Sequence, residues 1–282
     1  MSRVAVVGAG TMGNGIAHVF AQHGWETMLV DVSAEQLDRA VKTIDANLDR
    51  QVKKGTIAAD QKDATLGRIR TDTKLDGAGK AELVVEAASE SPEIKFAIFR
   101  ALDAAAPAGA ILASNTSSIS ITTIAAQTKR PAQVIGMHFM NPVPVMPLVE
   151  VIRGLETSDP TASRTVAIAK ALGKTPVEVR DSPGFVSNRV LLPMINEAAF
   201  CVMEGVATPE AVDTVMKLGM NHPLGPLALA DLIGLDVCLA ILEVMHRDLG
   251  DDKYRPCPLI RQLVAAGRLG RKSGRGFHEY RG

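Results

Sequence analysis

The sequence predicts a mostly parallel β-sheet with helices on both faces, followed by a smaller all-helical domain. Over residues 3–180, short apolar runs rich in β-branched residues alternate with longer amphipathic stretches, which is typical of strand–helix–strand units. From residue 184 onward the strand-like runs stop, and apolar residues recur at helical spacing. The change coincides with the turn-forming sequence DSPG at residues 181–184, so we expect domains at 1–183 and 184–282.

The individual elements follow from periodicity and from turn-forming residues. Strands are expected at residues 4–7, 27–30, 83–86, 110–113, 134–137, 148–151 and 175–179. Residues 33–54 predict one long helix with Ser33 as its N-cap and Gly55 after its end, and a polar helical stretch follows near residues 58–68. In the second domain, prolines at 209, 223, 226, 256 and 258 divide the chain into about four helices.

The composition argues against several kinds of partner. Lys plus Arg and Asp plus Glu both number 31, so no net charge attracts nucleic acid or an anionic membrane surface. The three cysteines are widely and irregularly spaced, and we therefore expect neither a disulfide framework nor a metal site. No signal-peptide pattern and no apolar run of about 18 residues is found, which predicts a cytoplasmic protein.

A glycine-rich turn follows the first predicted strand and opens an apolar helix. Its residues are Gly8, Ala9, Gly10, Thr11, Met12 and Gly13. The first glycine permits a tight turn, the second lets a diphosphate approach the backbone, and the third lets the helix pack against the strand. Asp31 ends the second predicted strand, where a carboxylate can bind the adenosine ribose hydroxyls and repel a 2′-phosphate. The pattern predicts Rossmann-type dinucleotide binding, with NAD preferred over NADP.

Two titratable residues lie in neighbouring predicted strands. His138 follows the strand at 134–137, and Glu150 lies among the apolar residues of the strand at 148–151. A buried carboxylate is costly unless it is paired, and an imidazole is a natural partner. Taken singly, His138 could be a structural histidine and Glu150 a solvated acid. Because a proline-rich hairpin joins them downstream of a dinucleotide motif, we predict a proton-transfer pair for alcohol oxidation.

A polar cluster with the sequence SNTSS, at residues 114–118, follows the strand at 110–113. Asn115 and Ser117 are therefore candidates to contact the nicotinamide amide, its ribose or a substrate oxygen. The alternative is that serines of this cluster cap the helix starting near Ser120. Both interpretations can hold for different serines.

Five segments, considered together, carry a resemblance to a known family. They are GAGTMG at 8–13, SNTSSI at 114–119, GMHFMNP at 136–142, DSPGF at 181–185 and GRKSG at 270–274. Together they resemble the short-chain L-3-hydroxyacyl-CoA dehydrogenases, especially the bacterial 3-hydroxybutyryl-CoA dehydrogenases, over essentially the whole chain. The resemblance implies reversible oxidation of a (3S)-3-hydroxyacyl-CoA by NAD+, with His138 as the proton-transfer base paired with Glu150.

The resemblance also implies ligand contacts. Ser117 and Asn188 match the substrate-orienting positions of the family, which would bring the second domain to the site. The further cofactor contacts would be Glu90, Lys95, Asn141 and Lys272. The coenzyme A phosphates would be held at the end of the long helix by Arg50, Lys53 and Lys54, of which Lys54 matches the family position. For these three residues an ordinary solvated helix end is the alternative.

Two questions about function and one about assembly stay open at the level of sequence. A related dehydrogenase on the same scaffold could act on a sugar acid instead of a thioester. A noncatalytic NAD-binding protein could use His138 and Glu150 only for packing. The apolar helices of the second domain also predict a homodimer.

Overall fold

The computed structural model describes residues 2–280. The chain divides after Ser182 into two compact units. The first unit contains eight strands: β1 (Arg3–Val7), β2 (Glu26–Val30), β3 (Ile69–Asp72), β4 (Leu83–Glu86), β5 (Ile111–Ser114), β6 (Val134–Phe139), β7 (Leu148–Arg153) and β8 (Thr175–Arg180). They form one sheet in the order β3-β2-β1-β4-β5-β6-β7-β8.

The sheet is parallel except where β7 runs antiparallel to β6. The chain order reverses between β1 and β4, which lie side by side. In open α/β sheets, ligands bind outside the carboxyl ends of the strands at such a reversal. This part of the sheet edge is therefore the expected ligand site, and the mostly parallel sheet confirms the predicted fold class.

Six helices accompany the sheet: α1 (Thr11–Gln22), α2 (Ala34–Lys53), α3 (Ala59–Gly67), α4 (Pro92–Ala105), α5 (Ile121–Ala125) and α6 (Asp159–Ala171). The long helix α2 ends where the sequence predicts. Ser33 caps it by accepting a hydrogen bond of 3.2 Å from the Gln36 N–H, and Gly55 follows its end with φ of 69°. Its buried residues recur at helical spacing and pack into the same core as α1: Leu37, Ala40, Ile44 and Leu48.

Strand β3 was not predicted, and its position explains why. Its sequence, Ile-Arg-Thr-Asp, contains one apolar residue, because β3 lies at the edge of the sheet with only Ile69 buried. A strand that buries one side chain needs no apolar run.

The second unit contains five α-helices within its described residues: α7 (Ser187–Met203), α8 (Pro209–Gly219), α9 (Pro226–Ile233), α10 (Leu235–Leu249) and α11 (Pro258–Ala265). The prediction of about four was wrong because Gly234, with φ of 106°, separates α9 from α10 without a proline. Between residues 2 and 280, no helix has both the length and the apolar character needed to cross a membrane.

Candidate active site

The glycine turn between β1 and α1 is shaped by close backbone contacts. A Cβ at Gly8, where φ is 101°, would lie 2.6 Å from the Ala87 carbonyl oxygen. A Cβ at Gly13 would lie only 1.7 Å from the Gly8 carbonyl oxygen. A Cβ at Gly10 would meet no atom within 4 Å. Gly8 and Gly13 therefore permit the packing of the turn, whereas Gly10 keeps its outer side open for a diphosphate.

The amino terminus of α1 faces this open side. Gly10 is its N-cap in an extended conformation, and within residues 2–280 no side-chain cap hydrogen bond is made there. Helix N–H groups without an internal partner, together with the helix dipole, favour an anion at this position.

Asp31 lies just beyond β2 and is fixed to the glycine turn. Its Oδ2 accepts a hydrogen bond of 2.8 Å from the Ala9 N–H, and its Oδ1 accepts one of 3.0 Å from the Ser33 N–H. The carboxylate is thus oriented by the backbone on both sides. A ribose with free hydroxyls fits beside it, and a 2′-phosphate would be repelled.

Gly10, Thr11 and Asp31 line a cavity of about 620 Å³, within the range of about 300 to 1,000 Å³ that is usual for small-molecule sites. Its apolar walls come from residues that the sequence did not single out: Leu75, Ile94 and Ile98. Ile94 is 48% exposed, so this side chain of α4 is accessible to a ligand in the cavity. The cradle, the acid and the apolar walls fit the adenosine half of NAD.

The side chains of His138 and Glu150 are in contact, and their proton-transfer role stays a prediction. The two residues lie directly opposite each other in the antiparallel register of β6 and β7, and both are buried. His138 Nδ1 lies 2.8 Å from Glu150 Oε2, and His138 Nε2 lies 3.2 Å from Ser117 Oγ. An ionised carboxylate can only accept, so the Nδ1 of a neutral ring carries the proton and Nε2 is left as the acceptor.

The polar cluster after β5 joins neighbouring strands at this edge. Asn115 Oδ1 accepts a hydrogen bond of 2.9 Å from the Phe139 N–H, which ties the end of β5 to β6. The capping role belongs to Ser120, whose Oγ accepts a hydrogen bond of 3.2 Å from the Thr123 N–H. Ser117 is therefore placed beside the histidine, and the helix is capped by a different serine.

Glu90 and Lys95 lie next to this cluster, together with a third charged residue that the sequence analysis missed. Glu86 ends β4 with no exposed surface, and its carboxylate accepts hydrogen bonds of 2.8 and 2.9 Å from the Lys95 ammonium. Lys95 also pairs with Glu90 at 3.3 Å. An acid in an otherwise apolar strand is the signal that could have identified Glu86, as it did Glu150.

Burial raises the pKa of the Glu90 carboxyl, but the charge of Lys95 and hydrogen bonds from Thr116 and Ser117 act in the opposite direction. The net result is a pKa below the ordinary value. Glu90 is therefore ionised at neutral pH and accepts hydrogen bonds from the loop that carries Ser117.

The other predicted ligand residues are distributed over both units. Asn141 lines a cavity of about 360 Å³ with Ala9 and Thr11 of the glycine turn and Asn47 of α2. Lys53 and Lys54 are exposed at the end of α2, and Arg50 donates a hydrogen bond to the Asn47 side chain. In the second unit, Asn188 is buried in the first turn of α7, and Lys272 pairs with Asp236 at 2.6 Å. Ligand contacts of these residues remain predictions.

A histidine that can take up a proton, held at the same sheet edge as a cradle for NAD, meets the requirements of an NAD-dependent dehydrogenase, and the chain falls in that class. The family model of the 3-hydroxyacyl-CoA dehydrogenase NAD binding domain matches residues 3–182. That of the 3-hydroxyacyl-CoA dehydrogenase C-terminal domain matches residues 184–280. The chain therefore belongs to the 3-hydroxyacyl-CoA dehydrogenase family, and the resemblance seen in the sequence is confirmed.

Individual relatives match along nearly their full length. A probable 3-hydroxybutyryl-CoA dehydrogenase of Bacillus subtilis is 56% identical over 280 residues, covering 99% of this chain and 98% of the relative. A 3-hydroxybutyryl-CoA dehydrogenase of Bradyrhizobium diazoefficiens is 52% identical, covering 100% and 96%. The crystal structure of an (S)-3-hydroxybutyryl-CoA dehydrogenase from Ralstonia eutropha superposes with a TM-score of 0.97 at 51% identity, and all of both chains is covered.

Proposed function

We propose that the chain interconverts (3S)-3-hydroxybutyryl-CoA and acetoacetyl-CoA with NAD, and that His138 is the proton-transfer base. The observation that carries this proposal is the geometry of His138, whose Nδ1 meets Glu150 at 2.8 Å while its Nε2 faces Ser117 at 3.2 Å. The relatives named 3-hydroxybutyryl-CoA dehydrogenase support the choice of substrate.

Each of these side chains has a separate task in the reaction. NAD, when bound at the glycine turn and Asp31, supplies the acceptor for the hydride that leaves carbon 3. His138 Nε2 takes the 3-hydroxyl proton as the carbonyl forms, and Glu150 stabilises the resulting imidazolium. Ser117 Oγ donates to the reacting oxygen and orients it. In the reverse direction the imidazolium returns the proton to that oxygen.

The direct test follows the loss of NADH absorbance in the presence of acetoacetyl-CoA. The wild type should turn over, and His138→Ala should lose about 10²- to 10⁴-fold in kcat, because general-base catalysis contributes that much. The affinity for NADH should change little, since the adenosine cradle is untouched. His23→Ala is the matched control, because His23 follows α1 at the end away from the cradle and bonds to the Val19 carbonyl. Near-normal turnover of His138→Ala would contradict the assignment.

The coenzyme A contacts belong to the same proposal. Lys53 and Lys54 are exposed cations at one end of α2, where they can reach phosphates. The double variant Lys53→Ala and Lys54→Ala should raise KM for acetoacetyl-CoA about tenfold at low salt. It should leave KM unchanged for the N-acetylcysteamine thioester, which lacks those phosphates. Equal KM values for wild type and variant with the CoA substrate would show that these two lysines do not bind its phosphates.

We further propose that residues 184–282 form a substrate and dimerisation domain in a cytoplasmic homodimer. Asn188 would orient the substrate, and Asn188→Ala should then raise KM for acetoacetyl-CoA. Exposed apolar residues of the second unit support self-association: Val206, Val215, Leu218 and Met220. Light scattering should give twice the chain mass, and Leu218→Glu should weaken the dimer if α8 lies in the interface. A monomeric wild-type mass would exclude the dimer.

A further inference from the structure

The ion pairs of Glu86, Lys95 and Glu90 lie beneath the loop that carries Ser117, and we refer to these three residues as the relay. We propose that Glu86 and Lys95 are positioning residues that, through Glu90, hold Ser117 in place for the reaction. This inference rests on the proposed function, because it takes Ser117 to orient the reacting oxygen.

Glu86 is the anchor of the relay. Its Oε1 accepts hydrogen bonds from the Ala88 N–H at 2.7 Å and from Lys95 at 2.8 Å. Its Oε2 accepts hydrogen bonds from Lys95 at 2.9 Å and from Ser114 Oγ at 2.7 Å. Ala88 follows β4 and Ser114 ends β5. One carboxylate thus fixes the ends of two adjacent strands and the position of the Lys95 ammonium.

The Lys95 ammonium in turn holds the carboxylate of Glu90. Only 1% of the Lys95 side chain is exposed, and its Nζ lies 3.3 Å from Glu90 Oε2. The other carboxylate oxygen, Oε1, accepts hydrogen bonds from the Ser117 N–H at 2.8 Å and from the Ser118 N–H at 3.1 Å. It also accepts from Ser118 Oγ at 3.1 Å and from Thr116 Oγ1. Glu90 therefore fixes the loop backbone next to the His138 ring.

A relay of this kind is a poor device for stability alone. Buried ion pairs lose much of their attraction to the cost of removing charges from water, and apolar residues of similar volume often stabilise as well or better. The charged groups orient the loop, because each hydrogen bond fixes the position of one of its atoms. In this loop, Ser117 Oγ lies 3.2 Å from His138 Nε2. A displacement of about 1 Å at such a site can cost about 100-fold in rate.

The test compares Glu86→Gln, Lys95→Met and the double variant with wild type. Glu86→Gln keeps the shape and removes the charge that holds the ammonium. Asp103→Asn is the matched control, because Asp103 lies on the same helix α4 and pairs with Arg130 at 2.9 Å without contacting the relay. Ser114→Ala, which removes one hydrogen bond to Glu86 and the one from the Thr116 N–H, is the milder variant in case Glu86→Gln does not fold.

Three readouts separate positioning from general destabilisation. Amide hydrogen exchange at Ser117 and Ser118 should become at least about tenfold faster in Glu86→Gln and not in Asp103→Asn, since the loop loses its anchor. The value of kcat per folded enzyme should fall about 10- to 100-fold. Binding of AMP, which needs only the adenosine cradle, should stay within about twofold of wild type. The double variant should be no worse than the more impaired single one, because the two residues act as a unit.

Hydrogen exchange is measured without substrate, so it distinguishes the failure of this inference from the failure of the proposed function. Unchanged exchange at Ser117 and Ser118 in both Glu86→Gln and Ser114→Ala would overturn the relay even if the wild type turns over acetoacetyl-CoA. A loss of kcat in Asp103→Asn equal to that in Glu86→Gln would overturn it as well. If exchange is faster in Glu86→Gln but the wild type does not turn over acetoacetyl-CoA, only the proposed reaction is overturned.

Discussion

At the scale of single residues, the backbone register of two strands brings the acid Glu150 and the base His138 together. His138 and Glu150 face each other across β6 and β7, so their side chains meet at 2.8 Å with little freedom to separate. Side chains directly opposite in an antiparallel pair lie within contact distance. The pairing is therefore determined by the hairpin, and changes of either side chain should alter chemistry more than structure.

Glu150→Gln tests the charge of this pair. The amide oxygen can still accept from Nδ1–H, but it cannot stabilise the imidazolium, so kcat should fall by about 100-fold or more. Because the protonated ring loses its partner, the acidic limb of the pH profile for alcohol oxidation should move to lower pH. The pH profile of kcat with 3-hydroxybutyryl-CoA measures both effects. An unchanged profile would show that the carboxylate does not act on the histidine.

Asp31→Asn tests the choice of cofactor. The amide oxygen can still accept from the Ala9 N–H, while the charge that binds ribose hydroxyls and repels a 2′-phosphate is lost. NAD affinity should fall about tenfold, and NADP affinity should fall less or rise. Titrations of NADH and NADPH by fluorescence measure the ratio. Asp31→Ala serves for comparison, because it also removes the contacts to Ala9 and Ser33. Equal loss of both cofactors in Asp31→Asn would refute the ribose role.

The sequence identified these residues where they belong to a motif or differ chemically from the residues around them. Asp31 ends a strand after a glycine turn, and Glu150 is an acid within an apolar strand. Glu86 carries the same mark as Glu150 and was missed, because its partner Lys95 lies on a helix and no hairpin links the two. The apolar cavity residues Ile94 and Ile98 come from α4 and Leu75 from a separate segment, so only the folded chain brings them to the glycine turn.

At the scale of elements, the join between β1 and α1 combines two requirements that different glycines meet. Gly13→Ala would place a Cβ 1.7 Å from the Gly8 carbonyl oxygen, so α1 would have to move away from the strand. We expect a loss of about 1 to 3 kcal/mol in the free energy of unfolding, as for other overpacked sites. Denaturant titration followed by circular dichroism measures this loss.

Gly10→Ala is the matched variant at the same turn. Its Cβ would meet no protein atom, and Gly10 has φ of −66°, which any residue adopts. Its stability should stay within about 0.5 kcal/mol of wild type, the usual range for a substitution without contacts. NADH affinity should nevertheless fall, because the methyl group occupies the side where the diphosphate approaches. Tight NADH binding by Gly10→Ala would place the diphosphate elsewhere.

Elements were predictable where they bury a whole face and less so where they do not. Strands β1, β4 and β6 are buried along almost their full length and read as apolar runs. Edge strand β3 buries only Ile69, so its sequence resembles a loop. The separation of α9 from α10 depends on the positive φ of Gly234. This conformation cannot be predicted from an isolated glycine in an apolar run.

At the scale of the whole molecule, each unit has its own apolar core. That of the first unit includes Ile16, Phe20 and Leu29, and that of the second includes Ile195, Leu227 and Leu242. Separate cores permit separate unfolding transitions. When the two transitions are separate, the protonation of a group buried in one core changes the unfolding transition of that unit alone.

His18 is such a group in the first unit. It lies in α1 with no exposed surface, and burial, with smaller contributions from the positive charges of His23 and Lys174, lowers its pKa from 6.5 to about 4, although a hydrogen bond with Gln22 acts in the opposite direction. Between pH 6.5 and 4 the unfolded chain therefore binds a proton that the folded chain does not. As the pH is lowered across this window, the free energy of unfolding therefore decreases by about 3 kcal/mol in total.

His18→Gln removes this titration while keeping a polar side chain at the position. The difference in free energy of unfolding between wild type and variant should be constant above pH 7 and should shift by about 3 kcal/mol in favour of the variant as the pH falls to 4. Denaturant titrations at half-unit pH steps measure the difference, and the transition of the second unit provides the internal control, because His18 lies outside it. Parallel pH dependences of wild type and variant in the first unit would mean that His18 takes up its proton as readily in the folded state as in the unfolded chain.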